Sequence, residues 1–439
     1  MIEKIIGLSA RNRFFVILIT IFAIIWGVWA LKRTPLDAIP DLSDTQVIIY
    51  TEWPGRSPDL VENQITYPIS ATLLAAPKVQ AVRGFSFLGS SFIYVIFDEG
   101  TDIYWARSRV IEYIEAVKNK IPLGVNPVLG PDATSLGWGF SYALVDEKGG
   151  HDLSQLRSIE DYTIKLALES VQGVSQVASI GGFIKQYQVN IDPVKLRSYN
   201  IPLMKVMEAV KKSNLDVEGR VLEMSGIEYM IRGRGYIKNL KDIENISVST
   251  DGRGTPVILK DVASIQIGPE IRRGLADLNG KGEVAGGIVV VRFGENVLNV
   301  IGRVKEKIKN DIEPSLPKGV KIVVTYDRSD LIKRSIATLK EEIIKLALAV
   351  SIVCLIFLFH LPSAFVVILT LPVAIIMSFI CMYYLGITSN IMSLSGIAIA
   401  IGAMVDASII MVENAHKKLE EWEENRSGVL QLFCRRNSS

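Results

Sequence analysis

The chain has 439 residues, of which 49% are hydrophobic and only 21% are charged, and its formal net charge is +2. This composition is too apolar for an ordinary soluble protein of this length, so it predicts membrane-spanning segments. No basic stripe with interleaved aromatic residues occurs, which argues against nucleic-acid binding. The three cysteines all lie late in the chain without CxxC spacing, so the sequence indicates neither a disulfide framework nor a zinc or redox motif.

Four apolar runs predict membrane-spanning helices. The first, Phe14–Leu31, is an uncharged run of 18 residues flanked by basic residues, which is about enough to cross the hydrocarbon. It is longer than a typical signal-peptide core and no A-x-A-like site follows it, so an uncleaved anchor is favoured over a secretory signal. The other three runs come late in the chain, at Leu346–His360, Ala364–Tyr384 and Ile391–Val412.

Basic residues flank both ends of this set, with Lys4 and Arg13 before the first run and Lys417 and Lys418 after the last. The positive-inside rule therefore predicts that both termini are cytoplasmic, and four spans are compatible with that. Residues from about 35 to 330 are then expected outside the membrane. In a bacterium this describes a multi-pass protein of the inner (plasma) membrane with a large periplasmic region.

The long polar region after the first run shows strand and helix patterns in a repeated order. Its first part reads as β-α-β-β-α-β, from the strand "QVIIYTEWPG" to the strand "WGFSYALVD". The order then recurs, sharing the strand near Phe140, through "VSQVASIG" and "KQYQVNID", and it closes much later with "VKIVVTYD". The sequence therefore predicts an α+β membrane protein whose outer region contains two ferredoxin-like βαββαβ units.

An insertion from about Pro193 to Gly274 interrupts the second unit. It contains "GRVLEMSGIEYMIRGRG", a pattern that predicts a projecting hairpin. An insertion into a repeat often forms a docking surface, although an ordinary decorated loop fits the same pattern equally well.

One carboxylate, Asp406, lies in the last apolar run, which has no other charged residue between Ile391 and Val412. A charge in the bilayer interior is costly unless it is protonated or paired, so such an acid is by default a candidate for a proton relay. The alternative is a structural carboxylate paired to a neighbouring helix. Glu413 lies seven residues later on the same helical face, as a possible secondary acid or as a surface partner of Lys417 at i+4.

Met404 and Met411 are also seven residues apart and share another face of this predicted helix, roughly 160° from Asp406. Thioether sulfur is a soft ligand suited to Cu(I) and Ag(I), but methionine is also a common filler of apolar packing, so both interpretations stay open. Small residues such as Gly396 and Gly402 allow close approach of other helices, and we expect this helix to be buried in a bundle.

These features together resemble the resistance–nodulation–division (RND) transporters. The resemblance rests on "TPLDAIPDLSDTQVIIYTEWPGRSP" after the first run, on the doubled outer unit, and on "GAMVDASIIMVENAHKKLE" in the last run. It covers about residues 1–424 and is strongest to the heavy-metal efflux branch. Ala407 stands where drug pumps have a second acid, and no acid precedes Gly402 as it does in divalent-metal pumps, so the resemblance favours the copper/silver pumps.

The resemblance implies a metal/proton antiporter and not an enzyme. The relay acid falls on Asp406, and the methionines that line a membrane relay in the copper/silver pumps fall on Met392, Met404 and Met411. No cofactor is implied to be permanently bound: Cu(I) or Ag(I) is the cargo and the proton gradient supplies the energy. The implied partners are two further copies in a homotrimer if the protein is full-length, a periplasmic adaptor protein, an outer-membrane channel and membrane lipid, with no nucleic acid.

The implied organisation has seven parts. They are an N-terminal anchor with the first span (1–33), the first porter subdomain (34–133), the first part of the second porter subdomain (134–192), a docking subdomain (193–274), the second part of the second porter subdomain (275–330), spans two to four (331–416), and an atypical cytoplasmic tail (417–439).

Length separates this chain from the family, whose members are more than twice as long. The tail "ENRSGVLQLFCRRNSS" does not resemble the expected continuation, so we expect the 439-residue chain alone not to transport. Three interpretations follow: the N-terminal part of a Cu(I)/Ag(I) efflux pump, a divalent-metal or drug pump of the same superfamily, or a non-transporting truncated remnant or membrane-anchored docking protein.

Overall fold

A computed structural model describes residues 7–9, 11–37, 39–250, 254–271, 274–358 and 361–436. The strands are β1 (Gln46–Glu52), β2 (Val79–Phe87), β3 (Ser90–Phe97), β4 (Pro127–Leu129), β5 (Trp138–Asp146), β6 (Val174–Gly181), β7 (Lys185–Ile191), β8 (Val217–Met224), β9 (Ile227–Gly233), β10 (Ser247–Thr250), β11 (Pro256–Ile258), β12 (Ala263–Pro269), β13 (Ala285–Val291) and β14 (Val320–Asp327).

The α-helices are α1 (Arg13–Arg33), α2 (Pro58–Val61), α3 (Tyr67–Leu73), α4 (Ile103–Val117), α5 (Leu153–Ile159), α6 (Lys165–Glu169), α7 (Pro193–Ser198), α8 (Leu203–Ser213), α9 (Leu240–Glu244), α10 (Leu259–Val262), α11 (Val297–Lys307), α12 (Arg328–Leu358), α13 (Leu361–Leu385) and α14 (Ile391–Arg436). Five-residue π-helical turns occur at Glu62–Thr66, Glu160–Ile164 and Ile308–Ile312, and short 3₁₀ turns occur at Lys118–Lys120 and Glu313–Ser315.

The first four strands form an antiparallel sheet in the order β2-β3-β1-β4, with α2, α3 and α4 against it. In β1 every second side chain, including Val47 and Ile49, points into the core, as the strand period of two requires. In α4 the buried positions include Val110 and Ile114, spaced by one helical turn. These apolar faces of sheet and helix share one core, which fixes the helix on the sheet.

The second sheet has the order β14-β5-β13-β6. If the four strands of each sheet are numbered in chain order, both sheets have the order 2-3-1-4. The two layers therefore have the same topology. Its core combines alternate residues of β5, such as Phe140 and Leu144, with Val300 and Val304 of α11.

Two strand assignments from the sequence are wrong. Strand β5 pairs with β13 and β14 in the second sheet, and the first sheet is closed by β4, which is only three residues long and starts at a proline. Strand β7 pairs with β12 in the inserted segment, and β13 takes its predicted place beside β6. The alternation of β7 identifies a strand but not its partner, and the two glycines of "AGGIVVV" weaken the strand pattern of β13.

The inserted segment has its own core, built from residues of α7, α8, α9 and α10, among them Val206, Leu259 and Val262. Strands β8 and β9 form the predicted hairpin. Its two-residue turn consists of Ser225 and Gly226, both at positive φ. This backbone conformation matches the twist of the two strands in a tight hairpin. The side chains of β9 are exposed along its whole length, so the hairpin projects from this core.

Three helical segments among the described residues are long and apolar enough to cross a membrane: Arg13–Arg33, Ile368–Leu385 and Ile391–Ala415. The predicted second run forms the end of α12, and its last two residues lie outside the described part of the chain. Helix α1 packs on α13, where a Cβ at Gly27 would clash with Ile376. This close approach is typical of small residues between membrane helices.

A carboxyl group is enclosed in the second core. Glu160 is fully buried in a π-helical turn, and its Oε1 accepts a hydrogen bond of 2.9 Å from the hydroxyl of Tyr142, while Oε2 has no hydrogen-bond partner among the described residues. Gly287 passes so near that a Cβ there would lie 2.6 Å from Oε1. Burial raises the pKa of Glu160 to about 7, although the bond from Tyr142 acts in the opposite direction.

This burial predicts a specific dependence of stability on pH. The pKa of Glu160 is about 7 in the folded chain and ordinarily 4.5, so the folded state holds a proton that the unfolded state releases. The contribution of Glu160 to stability is therefore present below about pH 4.5 and is lost as the pH rises toward 7. At about 1.4 kcal/mol per pH unit, the loss reaches up to roughly 3 kcal/mol.

Glu160→Gln keeps the shape and removes the titration. We expect this variant to unfold at a higher temperature than the wild type at pH 8, with the difference shrinking toward pH 4.5, as measured by circular dichroism of the whole chain in detergent. Glu112→Gln, at an exposed carboxylate paired to Arg109, is the control and should follow the wild type. Parallel pH profiles for wild type and Glu160→Gln would contradict the prediction.

Candidate functional site

The start of α14 is fixed by its own side chains. Asn390 precedes the helix and its Oδ1 accepts a hydrogen bond from the Ser393 backbone N–H at 3.0 Å, while the Ser393 hydroxyl accepts from the Asn390 N–H at 2.9 Å. This reciprocal pair satisfies two donors at the helix N-terminus, as a capping box does. The helix then packs on α13 through a seam that includes Leu394 and Ile397.

Asp406 lies on the opposite side of α14 from this seam. It is nine residues after Ile397, which places it roughly 180° around the helix. Its side chain is exposed, and around Gly402, one turn earlier, a Cβ would meet nothing within 4 Å. The expectation of a helix enclosed in a bundle is therefore met on one face only: the described part of the chain leaves the face of the carboxylate uncovered.

The three methionines do not converge on one point. Met404 is half-buried on the side of the packing seam and its carbonyl accepts a hydrogen bond of 2.9 Å from the Ser408 hydroxyl. Met411 continues that face about 10 Å further along the helix axis, and Met392 lies about 18 Å before Met404 and roughly 120° around. Met392 and Met411 are 67% and 59% exposed. The three methionines therefore stand at successive levels along the helix and not around one point.

Glu413 has a partner on its own helix. Its Oε1 lies 2.9 Å from Nζ of Lys417, one turn later, and both side chains are more than half exposed. An exposed i,i+4 pair of this kind contributes only about 0.3–0.5 kcal/mol. This geometry favours the surface pair over a second relay acid. Among the residues that the structure describes, no group of three or more His, Cys, Asp or Glu side chains forms a metal site.

A junction in front of α14 was not predicted from the sequence. Leu36 and Ser389 form an isolated parallel bridge, so the segment after α1 pairs with the residue that precedes the cap of α14. Arg328, the first residue of α12, forms an ion pair with Asp37 in the same segment. The only signal in the sequence was a pair of opposite charges 291 residues apart, which no local pattern connects.

Comparison with known proteins identifies the family of the chain. The sequence profile of the AcrB/AcrD/AcrF family matches residues 5–433. The chain belongs to the AcrB/AcrD/AcrF family. The predicted membership of the RND transporters is thereby confirmed.

Relatives of this AcrB/AcrD/AcrF-family chain are named for cation efflux. The cation efflux system protein SilA of Salmonella typhimurium is 52% identical over 428 residues, which are 98% of this chain and 41% of SilA. The cation efflux system protein CusA of Escherichia coli K12 is 52% identical over 423 residues, 96% of this chain and 40% of CusA. The cobalt-zinc-cadmium resistance protein CzcA of Cupriavidus metallidurans is 35% identical over 432 residues, 97% of this chain and 40% of CzcA. The chain thus spans about two fifths of the length of these relatives, and the predicted heavy-metal efflux branch is confirmed.

A solved structure shows the same fold. The X-ray structure of a heavy metal efflux pump superposes on this family member with a TM-score of 0.84 at 31% identity, covering 95% of this chain and 41% of that chain. The predicted mixture of α/β structure and apolar helices is therefore that of an RND efflux pump.

The uncovered position of Asp406 predicts selective chemical labelling. Dicyclohexylcarbodiimide is apolar and reacts with protonated carboxyl groups in apolar surroundings, whereas Glu413 is ion-paired to Lys417 near the end of the apolar run. We expect labelling of the chain in lipid vesicles to fall on the peptide that contains Asp406, and Asp406→Asn to remove it. Glu413→Gln is the control and should label like the wild type. Equal labelling of wild type and Asp406→Asn, measured by mass spectrometry, would contradict an apolar setting for this carboxyl.

Proposed function

We propose that the chain is part of a proton-driven transporter that exports monovalent heavy-metal ions, Cu(I) or Ag(I), and that it has no enzymatic role. The observation that carries this proposal is the position of Asp406. It is the only charged residue from Ile391 to Val412, and it lies on the face of α14 that α12 and α13 do not cover. Membership of an efflux family and relatives named for cation efflux support the same conclusion.

In this proposal Asp406 alternates between its protonated and ionised forms. The neutral form is compatible with an apolar surrounding, while the ionised form requires a cationic partner or water, because a bare charge in hydrocarbon costs roughly 2.5–3.5 kcal/mol on insertion scales. Each protonation change therefore alters which arrangement of α14 and its neighbours is preferred. Protonation of Asp406 and the position of α14 are coupled because the proton binds more strongly in one helix arrangement than in the other.

The preference for a monovalent ion rests on ligand chemistry. Thioether sulfur binds soft ions such as Cu(I), whereas divalent ions of intermediate hardness favour imidazole and carboxylate ligands. Near Asp406 the helix offers Met404 and Met411, and it has no second acid at Ala407 or just before Gly402. We propose that Met392, Met404 and Met411 contact the ion one after another along the helix, as their separation requires. The ion is cargo, and no permanently bound cofactor is proposed.

We further propose roles for the outer region. The two four-stranded sheets act as porter subdomains, and the inserted segment acts as a docking subdomain that contacts a periplasmic adaptor protein and an outer-membrane channel. The exposed hairpin of β8 and β9 and the half-exposed Phe85 and Phe87 on the first sheet support this, since exposed apolar surface often marks a contact site. The proposed setting is the bacterial inner membrane, with both termini cytoplasmic and a homotrimer as the full-length assembly.

A divalent-metal or drug pump of the same family is the second candidate. The 35% identity to a cobalt-zinc-cadmium resistance protein supports it, because the fold alone does not distinguish the cargo. The third interpretation is a remnant or membrane-anchored docking protein without transport. The observation that supports it is the uncovered face of α14.

The proposed relay is tested in a chimera. Residues 1–424 replace the matching part of the E. coli relative CusA, and the product is expressed in cells that lack their own copper/silver pump. We expect the chimera to restore growth in Ag⁺, Asp406→Asn to abolish that growth while membrane insertion stays normal, and Glu413→Gln to retain it. Protection by Asp406→Asn at wild-type Ag⁺ doses would show that Asp406 is not the relay acid. Protection against Co²⁺ or Zn²⁺ but not Ag⁺ would support the divalent-metal candidate.

The methionine pathway is tested by conservative substitution. Replacing both Met404 and Met411 by Leu nearly conserves volume, so it should cost under about 1.5 kcal/mol of stability at each position. We expect the double variant of the chimera to be produced normally and to lose most of its protection against Ag⁺, because the soft ligands are gone. Met377→Leu, at a partly exposed position of α13, is the matched control and should protect like the unmodified chimera. Unchanged Ag⁺ tolerance in the double variant would show that both residues serve only in packing and do not contact the ion.

A further inference from the structure

Four segments that are distant in sequence are joined by hydrogen bonds at a junction that contains Arg328. They are the segment after α1, the linker between the two sheets, the start of α12, and the loop that precedes α14. Arg328 is only 4% exposed although it carries a permanent charge. A buried charge of this kind is tolerated only with partners, and its partners here identify what it holds together.

The guanidinium of Arg328 has two partners on two segments. Its Nη2 lies 2.9 Å from Oδ1 and 3.0 Å from Oδ2 of Asp37, which follows α1. Its Nη1 donates a hydrogen bond to the backbone carbonyl of Leu136, in the linker that joins the first sheet to the second. One planar group with several fixed donors can serve both acceptors at once, whereas a lysine ammonium has a different reach and geometry.

Asp37 extends the junction to α14. Its backbone N–H donates to the carbonyl of Ser389 at 3.0 Å, and the Ser389 N–H donates to the carbonyl of Pro35 at 2.9 Å. Ser389 is buried and directly precedes Asn390, the residue that caps α14. The position of the cap is therefore fixed by the same segment that holds Arg328.

The start of α12 is also bonded to the second sheet unit. Nζ of Lys305, in α11, contacts Oδ2 of Asp327 and donates to the Ser329 hydroxyl at 3.2 Å. These residues flank Arg328 on both sides, so its backbone cannot shift without disturbing α11. On the other side, the Thr134 hydroxyl of the linker donates to Oδ2 of Asp41 at 2.5 Å, which holds the linker against the segment after α1.

We propose that Arg328 is a positioning residue that couples the N-terminal end of α14 to the linker between the two sheets. A displacement of the cap of α14 reaches the linker through Ser389, Asp37 and Arg328 in turn. Its role in transport rests on the proposed function, in which α14 carries the relay acid. The coupling itself is a property of the junction and is measurable without transport.

Backbone amide hydrogen exchange of the whole chain in lipid nanodiscs tests the coupling. Arg328→Gln should raise exchange at least about tenfold in residues 34–37, 133–139 and 386–392 together, because both acceptors lose their ionic donor. Arg328→Lys should keep the pair with Asp37 and raise exchange mainly in 133–139, because one ammonium does not serve both acceptors. Arg334→Gln, at an exposed arginine of the same helix, is the matched control and should change none of the three segments.

A second perturbation separates coupling from mere anchoring. Asn390→Ala removes the cap of α14, and it should raise exchange in 133–139 when Arg328 is present but add nothing there in the Arg328→Gln background. Such a non-additive result is the signature of two sites joined through a third. The proposal is overturned if cap loss leaves 133–139 unchanged, if its effect is the same in both backgrounds, or if Arg328→Gln raises exchange uniformly along the chain.

Transport provides an independent readout. In the chimera with CusA, Arg328→Lys should reduce protection against Ag⁺ while the protein is produced and inserted normally, and unchanged protection would remove Arg328 from the transport cycle. If the unmodified chimera gives no protection, the proposed function fails and the exchange experiment still decides the coupling.

Discussion

Hydrocarbon supplies no partner for a charge, and this constraint organises the helical part of the protein. Helix α14 satisfies it in an unusual way: its apolar seam, with Leu394 and Ile397, packs on α13, while Asp406 is turned to the opposite side. Within the described chain nothing covers that side. A carboxylate so placed is stable only when it is protonated, hydrated or paired with a group brought by another helix. The three conditions place different groups around the carboxyl, and a change from one to another changes which packing of α14 is preferred.

The two sheets show how one topology can carry different chemistry in its core. Each has a π-helical turn in its first helical segment, at Glu62–Thr66 and at Glu160–Ile164. In the first layer the turn ends in Thr66, whose hydroxyl shares hydrogen bonds with Ser86 and Ser91 at 2.8 and 2.7 Å, and these groups stay neutral at every ordinary pH. In the second layer the turn begins with Glu160, whose pKa is raised to about 7 by burial. The layers therefore respond differently to acid although their strands are ordered alike.

The sequence predicted the features that depend on a local pattern, and it did not predict those that depend on a partner distant in sequence. Period and turn chemistry were enough for the hairpin at Ser225 and Gly226. The relay role of Asp406, which the sequence suggests through a lone charge in an apolar run, stays a prediction. The partner of β7 and the place of β13 could not be predicted, because a strand's alternation is the same whichever sheet it joins. Arg328 was missed for a related reason: its role comes from Asp37 and Leu136, which are 291 and 192 residues away in sequence. The direction of Asp406 on α14, by contrast, followed from helical period alone once the packing seam was known.

A continuous series of contacts connects α14 to the linker between the two sheets. The helix is a stiff element, and the 16 residues from Asn390 to Asp406 span about 24 Å at the helical rise. A helix of that length moves as a unit, so a change in packing at the carboxylate also displaces the cap. The cap is bonded through Ser389 to the segment that holds Asp37, and Asp37 is paired with Arg328 at the head of α12. Because the same guanidinium reaches the carbonyl of Leu136, the linker between the sheets cannot remain in place while the cap moves unless one of these bonds breaks. The burial of Arg328 makes such a break costly, since the charge would be left without a partner. Displacement of the linker that joins the two sheets is then the response that keeps these bonds intact.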